Sequence, residues 1–154
     1  AYVGFWSNLL AEKFDQVFAF EPQAENFKCL RENTNVSCLP LALSKGTGLV
    51  KMQIKGANFL TAVKLTSEDK RRPYLAIDLD TMNLSPGLIK LDVEGHEAAA
   101  LAGAHQTIKR CHPVLIVEYK YDQERIANIL KNGYGYRLRV DHPPDTVWVY
   151  KEQK

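Results

Sequence analysis

The sequence predicts an α/β domain on a mostly parallel sheet with an antiparallel edge at its C-terminal hairpin. Three features predict it. Short, largely apolar runs at 17–20, 88–91 and 114–117 read as buried strands of the kind parallel sheets contain. Segments with a helical apolar period lie between them. Near the C-terminus two strand-like runs flank Asp141-His142-Pro143-Pro144-Asp145, a turn that joins antiparallel strands.

Each element has its own warrant. Apolar residues at 5, 6, 9, 10 and 14 predict a helix over 5–14. Val17-Phe18-Ala19-Phe20 is a strand stopped by Glu21-Pro22. Asn26 to Asn33 is a polar helix that turns Phe27 and Leu30 inward, and 36–43 is a strand interrupted by Pro40. Lys45-Gly46-Thr47-Gly48 is a turn, and 49–55 alternates as a strand with one wet face does. Leu75 to Leu79 is a short strand or the approach to a helix near Thr81. Ser85-Pro86-Gly87 turns the chain into a strand from Leu88 to Val93, and an alanine-rich helix follows over 97–109. Val114 to Glu118 is a strand, and 123–131 is a helix with Ile126, Ile129 and Leu130 on one face, ended by Asn132-Gly133. Tyr136 to Val140 and Thr146 to Tyr150 close the sheet.

The chain of 154 residues suits one domain over 1–154, with no repeat and no linker. It is 45% hydrophobic and 25% charged, with a net charge of +2, so electrostatics argue for neither a nucleic-acid nor a membrane partner. The basic run Lys70-Arg71-Arg72 beside Pro73 reads as a solvated loop. Three scattered cysteines without a CxxC pair point to a reduced, cytoplasmic setting and no zinc site. His105 and His112 lack ligand-spaced partners and read as structural or surface residues.

Ligands of open parallel sheets bind beyond the carboxyl ends of the strands. Glu21, Asp92 and Glu118 fall at such ends. Gly4 sits in a turn opening the first helix, seventeen positions before Glu21. That is close to the spacing of about twenty between a nucleotide-binding glycine turn and a ribose-binding acid. Three carboxylates, Asp92, Glu94 and Glu97, crowd the strand-to-helix seam IKLDVEGHEAAALAGA.

The stretches AYVGFWS, VFAFEPQAENFKCLREN, LALSKGTG, LIKLDVEGHEAAALAGA and HPVLIVE resemble, in this order, the FkbM family of S-adenosylmethionine-dependent methyltransferases. The resemblance runs from residue 1 to about 118. It implies a Rossmann-like class I methyltransferase sheet and S-adenosyl-L-methionine as cofactor. It implies transfer to a small hydroxyl-bearing acceptor, sugar or natural-product-like, with nitrogen as an alternative acceptor atom. By resemblance Gly4 belongs to the cofactor turn, and Glu21, followed by Pro22, takes the ribose hydroxyls. Ala42, Leu43 and Ser44 line the adenine pocket, and Asp92 faces the methionine end and the substrate.

Each assignment has a plainer counterpart. Glu97 is equally a first-turn helix acid, Glu94 a capping or solvent residue, and Glu21 a cap before Pro22. Asp92, Glu94, His96, Glu97 and Glu118 form the set from which a proton acceptor would come. No metal-ligand spacing is present. The stretch Asn58–Arg72 is the candidate acceptor lid. The family's pattern begins with a strand ending in an acid and Gly-Ala-Asn-x-Gly, whereas this chain starts at Ala1 with Tyr2 at the asparagine position. The expectation is therefore an N-terminally incomplete domain, and a homo-oligomer that covers the exposed strand edge. Two rivals stay open: a methyltransferase-like domain that binds no cofactor, and a nicotinamide-dependent oxidoreductase. The latter wants G-x-G-x-x-G, where this chain offers only Gly4.

Overall fold

The computed structural model describes residues 1–54, 60–63, 73–118 and 122–152. The candidate lid Asn58–Arg72 lies outside these apart from the backbone of 60–63, and Lys70-Arg71-Arg72 lies wholly outside.

Helix α1 (Phe5–Ala11) opens at Gly4, whose φ of 106° suits glycine. A Cβ there would also press on Thr34 and Leu30, so the turn packs tightly against the end of α2 (Ala24–Asn33). Strand β1 (Phe18–Phe20) pairs in parallel with β2 (Ser37–Leu39). Pro40 divides the single strand expected over 36–43, because proline has no N–H to give a ladder. The piece beyond it, β3 (Ala42–Leu43), belongs to a different sheet.

That second sheet adds β4 (Gly48–Ile54), β5 (Leu60–Val63) and β6 (Pro73–Ile77) in the order β3-β6-β4-β5. Only β3 and β6 run parallel in it. A third sheet contains β7 (Leu88–Leu91), β8 (Val114–Glu118), β9 (Tyr136–His142) and β10 (Asp145–Tyr150), in the order β7-β8-β10-β9. Its β7 and β8 are parallel, and the expected C-terminal hairpin forms the antiparallel edge. The described residues thus form a mixed α/β fold in three sheets, a correction to the mostly parallel sheet expected. The middle section accounts for the difference. Leu49 and Leu75, register partners on β4 and β6, are both about half exposed, and a sheet with one wet face is built antiparallel.

The alanine-rich helix also departs from expectation. It breaks at Ala104 (φ −109°, ψ 14°) into α3 (Glu97–Gly103) and α4 (His105–Cys111). Asp80, on the one-turn helix Leu79–Met82, accepts from the N–H groups of Gln106 and Thr107 at 2.9 and 2.8 Å. These are amides that a fresh helix start leaves without intrahelical partners. Helix α5 (Gln123–Asn128) ends in a π-turn over Ile129–Gly133.

The core lies between the third sheet and α3, α4 and α5, with Leu101, Leu115, Leu130 and Trp148 fully enclosed. Its polar atoms are satisfied. Thr146 donates to the Val117 carbonyl at 2.7 Å and accepts from the Trp148 indole at 3.0 Å. No described helix is long and apolar enough to cross a membrane. Outside the core, β1 and β7 each have one strand neighbour among the described residues, and a cleft lies between them.

Candidate functional site

The cleft has a volume of about 1060 Å³. The carboxyl ends of β1 and β7, the turn before α1 and the Leu41–Leu43 segment form its walls. Glu21, Pro22, Ala42, Leu43, Asp92, Glu94 and His96 line it. Gly4, Ser44, Glu97 and Glu118 stand behind that wall. Two of the three strand ends that the sequence marked with acids, those of β1 and β7, meet at this opening, while Glu118 at the end of β8 does not line it.

Glu21 is buried, and its carboxylate works within the chain. One oxygen accepts from the Tyr2 N–H at 2.7 Å and the Ala1 nitrogen at 3.2 Å, and the other from the Gln23 N–H at 3.0 Å. Charged acceptors make stronger hydrogen bonds than neutral ones, so Glu21 ties the turn before α1 to the entry of α2. A carboxylate offers about four lone-pair sites, and the backbone N–H groups of Tyr2 and Gln23 occupy two.

The seam after β7 is built on two consecutive left-handed residues, Glu94 (φ 51°) and Gly95 (φ 92°). Glu97 turns back under them and accepts from the N–H groups of Val93 and Gly95 at 3.2 and 3.1 Å. It is buried; desolvation pushes its carboxyl up, while these N–H bonds oppose the rise. Its placement ties the turn rather than facing the cleft. Ser44, expected in an adenine pocket, is also buried and does not line the cleft. Its hydroxyl lies 3.0 Å from Nε2 of His96 and links the end of β3 to the start of α3. Burial pushes the His96 imidazole below its ordinary value, towards the neutral form. The close approach extends to Gly103, where a Cβ would collide with the Ser44 carbonyl.

Asp92 and Glu118 follow from strand register. Leu91 pairs with Val117 and Glu118 pairs with Asp145. Asp92, Glu118 and Asp145 therefore form a row across three adjacent strands, one residue past β7, at the end of β8 and at the start of β10. Side chains alternate along a strand, so Lys90 shares the face of Asp92. Its ammonium lies 2.6 Å from Asp145, 3.4 Å from Asp92 and 5.1 Å from the centre of the Trp6 ring. Carboxylate oxygens of Asp92, Glu94 and Glu118 converge within 4.8 Å of one another. Glu118 is pushed up to about 7, first by burial and then by its hydrogen bond with Asp92 and the charges of Asp92 and Glu94; Lys90 opposes this.

Lys90 and Asp145 were missed in the sequence. Lys90 left a signal, since it is the one charge inside the apolar run of β7. Asp145 left none, because its place depends on the register of β10 with β8. His105 and His112 match expectation as structural residues: His105 lies 3.2 Å from the Tyr134 hydroxyl, and His112 stacks on Tyr150 with centroids 3.7 Å apart.

Comparison with known proteins bears on this cleft. A family model described as the methyltransferase FkbM domain matches residues 1–138. Among solved structures, the chain is similar to the crystal structure of methyltransferase FkbM from Methylobacillus flagellatus KT, with a TM-score of 0.67 and 20% identity. The likeness covers 94% of this chain and 39% of that one, so the chain spans about two fifths of its solved relative. At that identity the likeness concerns the fold. No curated protein sequence matches.

Proposed function

The chain belongs to the FkbM methyltransferase domain family, and on that premise we propose that it is an S-adenosyl-L-methionine-dependent methyltransferase with a Rossmann-like cofactor site. The proposed acceptor is an oxygen of a small hydroxyl-bearing molecule, sugar or natural-product-like. The observation that carries the reading is the meeting of Glu21 and Asp92 on one cleft, at the carboxyl ends of β1 and β7.

The donor set suits the cofactor in outline. Glu21 accepts from two backbone N–H groups, those of Tyr2 and Gln23, and keeps lone-pair sites for the ribose hydroxyls. Leu41, Ala42 and Leu43 give an apolar wall for a purine, and Asp92 brings negative charge to the far side. When bound, S-adenosylmethionine supplies an activated methyl group on a cationic sulfur. The chain's task is to hold acceptor and methyl group in line and exclude water. Asp92 lines the cleft and is 42% exposed in its side chain, so an acceptor hydroxyl has access to it. Asp92 would take the hydroxyl proton as the acceptor oxygen bonds the methyl carbon and the methyl–sulfur bond breaks. Glu94 and His96 also line the cleft, and burial pushes the His96 imidazole towards the neutral form that can take a proton.

A domain that binds no cofactor is the competing reading, favoured by the backbone N–H groups of Tyr2 and Gln23 that Glu21 already holds. Calorimetric titration with S-adenosylhomocysteine separates the two. The proposal expects micromolar binding, weakened at least about tenfold by Glu21→Gln through loss of a charged acceptor worth about 1.5–3 kcal/mol. Absence of binding by the unaltered chain refutes it.

A further inference from the structure

Ser44 and His96 meet between two backbones that the fold anchors separately. Ser44 follows β3, and its N–H donates to the Ile77 carbonyl at the end of β6 at 3.0 Å. Its own carbonyl lies against Gly103 of α3, where an added Cβ would collide with it. His96 stands at the start of α3, and its carbonyl accepts from the N–H groups of Ala99 and Ala100. The Ser44 hydroxyl lies 3.0 Å from Nε2 of His96. Burial decides which of the two donates. A hydroxyl has one hydrogen to give, and a buried donor left without an acceptor costs more than a hydrogen bond gains. Ser44 is buried, and among the described residues Nε2 is the one partner of its hydroxyl. If Nε2–H donated to Oγ, the hydroxyl hydrogen would have no acceptor, so Oγ donates to Nε2. Burial also pushes the imidazole towards its neutral form, which carries a single ring hydrogen. That hydrogen then sits on Nδ1. No described residue bonds Nδ1, and His96 lines the cleft.

We propose that Ser44 holds His96 in the Nδ1–H form, so that His96 donates a hydrogen bond to an uncharged acceptor atom in the adenosine part of the bound cofactor. This rests on the methyltransferase reading and adds two residues to the same site. His96 binds the ligand, and Ser44 is a positioning residue that acts through it. Two observations choose the adenosine part. Ser44 directly follows Leu41, Ala42 and Leu43, the apolar wall of the cleft. Asp92 and Glu94 line the cleft on the His96 side, and their charge resists the carboxylate at the cofactor's methionine end. Adenosine brings ring nitrogens and ribose oxygens, which accept without charge. A carboxylate only accepts, so the acids of the cleft cannot serve such atoms, and the His96 N–H can. The Nε2 lone pair is taken by Ser44, which leaves the proton of an acceptor hydroxyl to the carboxylates.

The first measurement needs no ligand. Nitrogen-15 NMR of the full chain at neutral pH tells a ring nitrogen that carries hydrogen from one that does not. The expected result is hydrogen on Nδ1 of His96 and none on Nε2; the reverse overturns the proposal. Binding of S-adenosylhomocysteine and of adenosine is then measured for the parent, Ser44→Ala, His96→Phe and the double variant. Losing one hydrogen bond weakens binding about two- to twelvefold. Each single variant should lose about that factor with both ligands. The double variant should lose no more than His96→Phe alone, because Ser44 acts through His96. A loss with S-adenosylhomocysteine but not with adenosine overturns the proposal, as do losses that multiply in the double variant. The NMR result on the parent stands even if a variant does not fold. Binding of both ligands that the variants leave unchanged refutes this inference alone. No binding of either ligand refutes the methyltransferase reading on which it rests.

Discussion

Gly103→Ala sets a helix preference against a backbone collision, and the structure decides the sign. Gly103 ends α3 with an ordinary helical conformation, so alanine meets no dihedral strain. On propensity alone the change stabilises by up to about 1 kcal/mol. An added Cβ, however, would collide with the Ser44 carbonyl oxygen and carbon and crowd Cβ of Asp78. A carbonyl cannot rotate aside as a side-chain tip can, so α3 and the end of β3 must part. Forced overpacking of this kind costs about 1–3 kcal/mol. A collision with backbone atoms belongs at the upper end of that range, so the net is a loss of about 2 kcal/mol, and at about 2–4 °C per kcal/mol the Tm falls by about 4–8 °C. The move also stretches the Ser44–His96 hydrogen bond, now 3.0 Å. Gly133→Ala is the control, since nothing lies within 4 Å of its added Cβ. It should be neutral or stabilising by up to about 1 kcal/mol. Thermal melts and urea titration of the two variants beside the parent give the comparison. A Gly103→Ala protein as stable as the parent would refute the claimed contact between α3 and β3.

Two further outcomes follow from buried and crowded groups. Glu118 is held above its ordinary value in the fold, so the folded state binds the extra proton. Its contribution is intact below the unfolded value and is lost as pH rises to about 7. Glu118→Gln should therefore raise Tm at pH 8 more than at pH 4.5, and an equal shift at both would show that the repulsion is absent. Tyr136 is fully buried and donates to the Pro113 carbonyl at 2.7 Å. Tyr136→Phe should destabilise by about 1–2 kcal/mol in urea titration, because it removes that bond and leaves the carbonyl buried. A change under 0.3 kcal/mol, on the order of a neutral surface substitution, would show that the hydroxyl carries no weight there.

Much of the strand pattern was legible because it depends on local sequence. The apolar runs at 17–20, 88–91 and 114–117 became β1, β7 and β8 within two residues, and the C-terminal hairpin formed as expected. What failed depends on tertiary contacts. Gly103 is the one local hint that the helix over 97–109 divides, and the alanines around it favour continuation. The break comes from Asp80, over twenty residues upstream, which takes the amides of Gln106 and Thr107. The mixed sheet was missed because the antiparallel pairing of β4 with β6 depends on how distant segments meet, and the strand at 60–63 lies in a stretch that gave no strand signal. At the candidate site, the meeting of Glu21 and Asp92 was readable from strand ends alone. The inward turn of Glu97 and the Ser44–His96 bond were not, because both depend on how the seam folds back behind the cleft wall.

The seam's three carboxylates divide by what supports them. Glu97 meets backbone N–H groups of a turn that two left-handed residues shape, and it is buried at the helix start. Such an acid stabilises the turn and the helix dipole, and a stability measurement would detect its loss. Asp92 has a register neighbour of like charge and a lysine shared with a third carboxylate. A fold selected for stability alone gains nothing from crowding three acids around one ammonium at the mouth of a cleft. The cost is offset when a cation enters beside Asp92, which the proposed sulfonium would do. The same residues that weaken the empty domain at neutral pH would then strengthen its hold on a positive ligand. Glu118→Gln removes one charge from the row, so it should both raise stability at pH 8 and narrow the preference for the charged over the uncharged form of the cofactor. Both effects come from one pair of carboxylates, so neither should appear without the other.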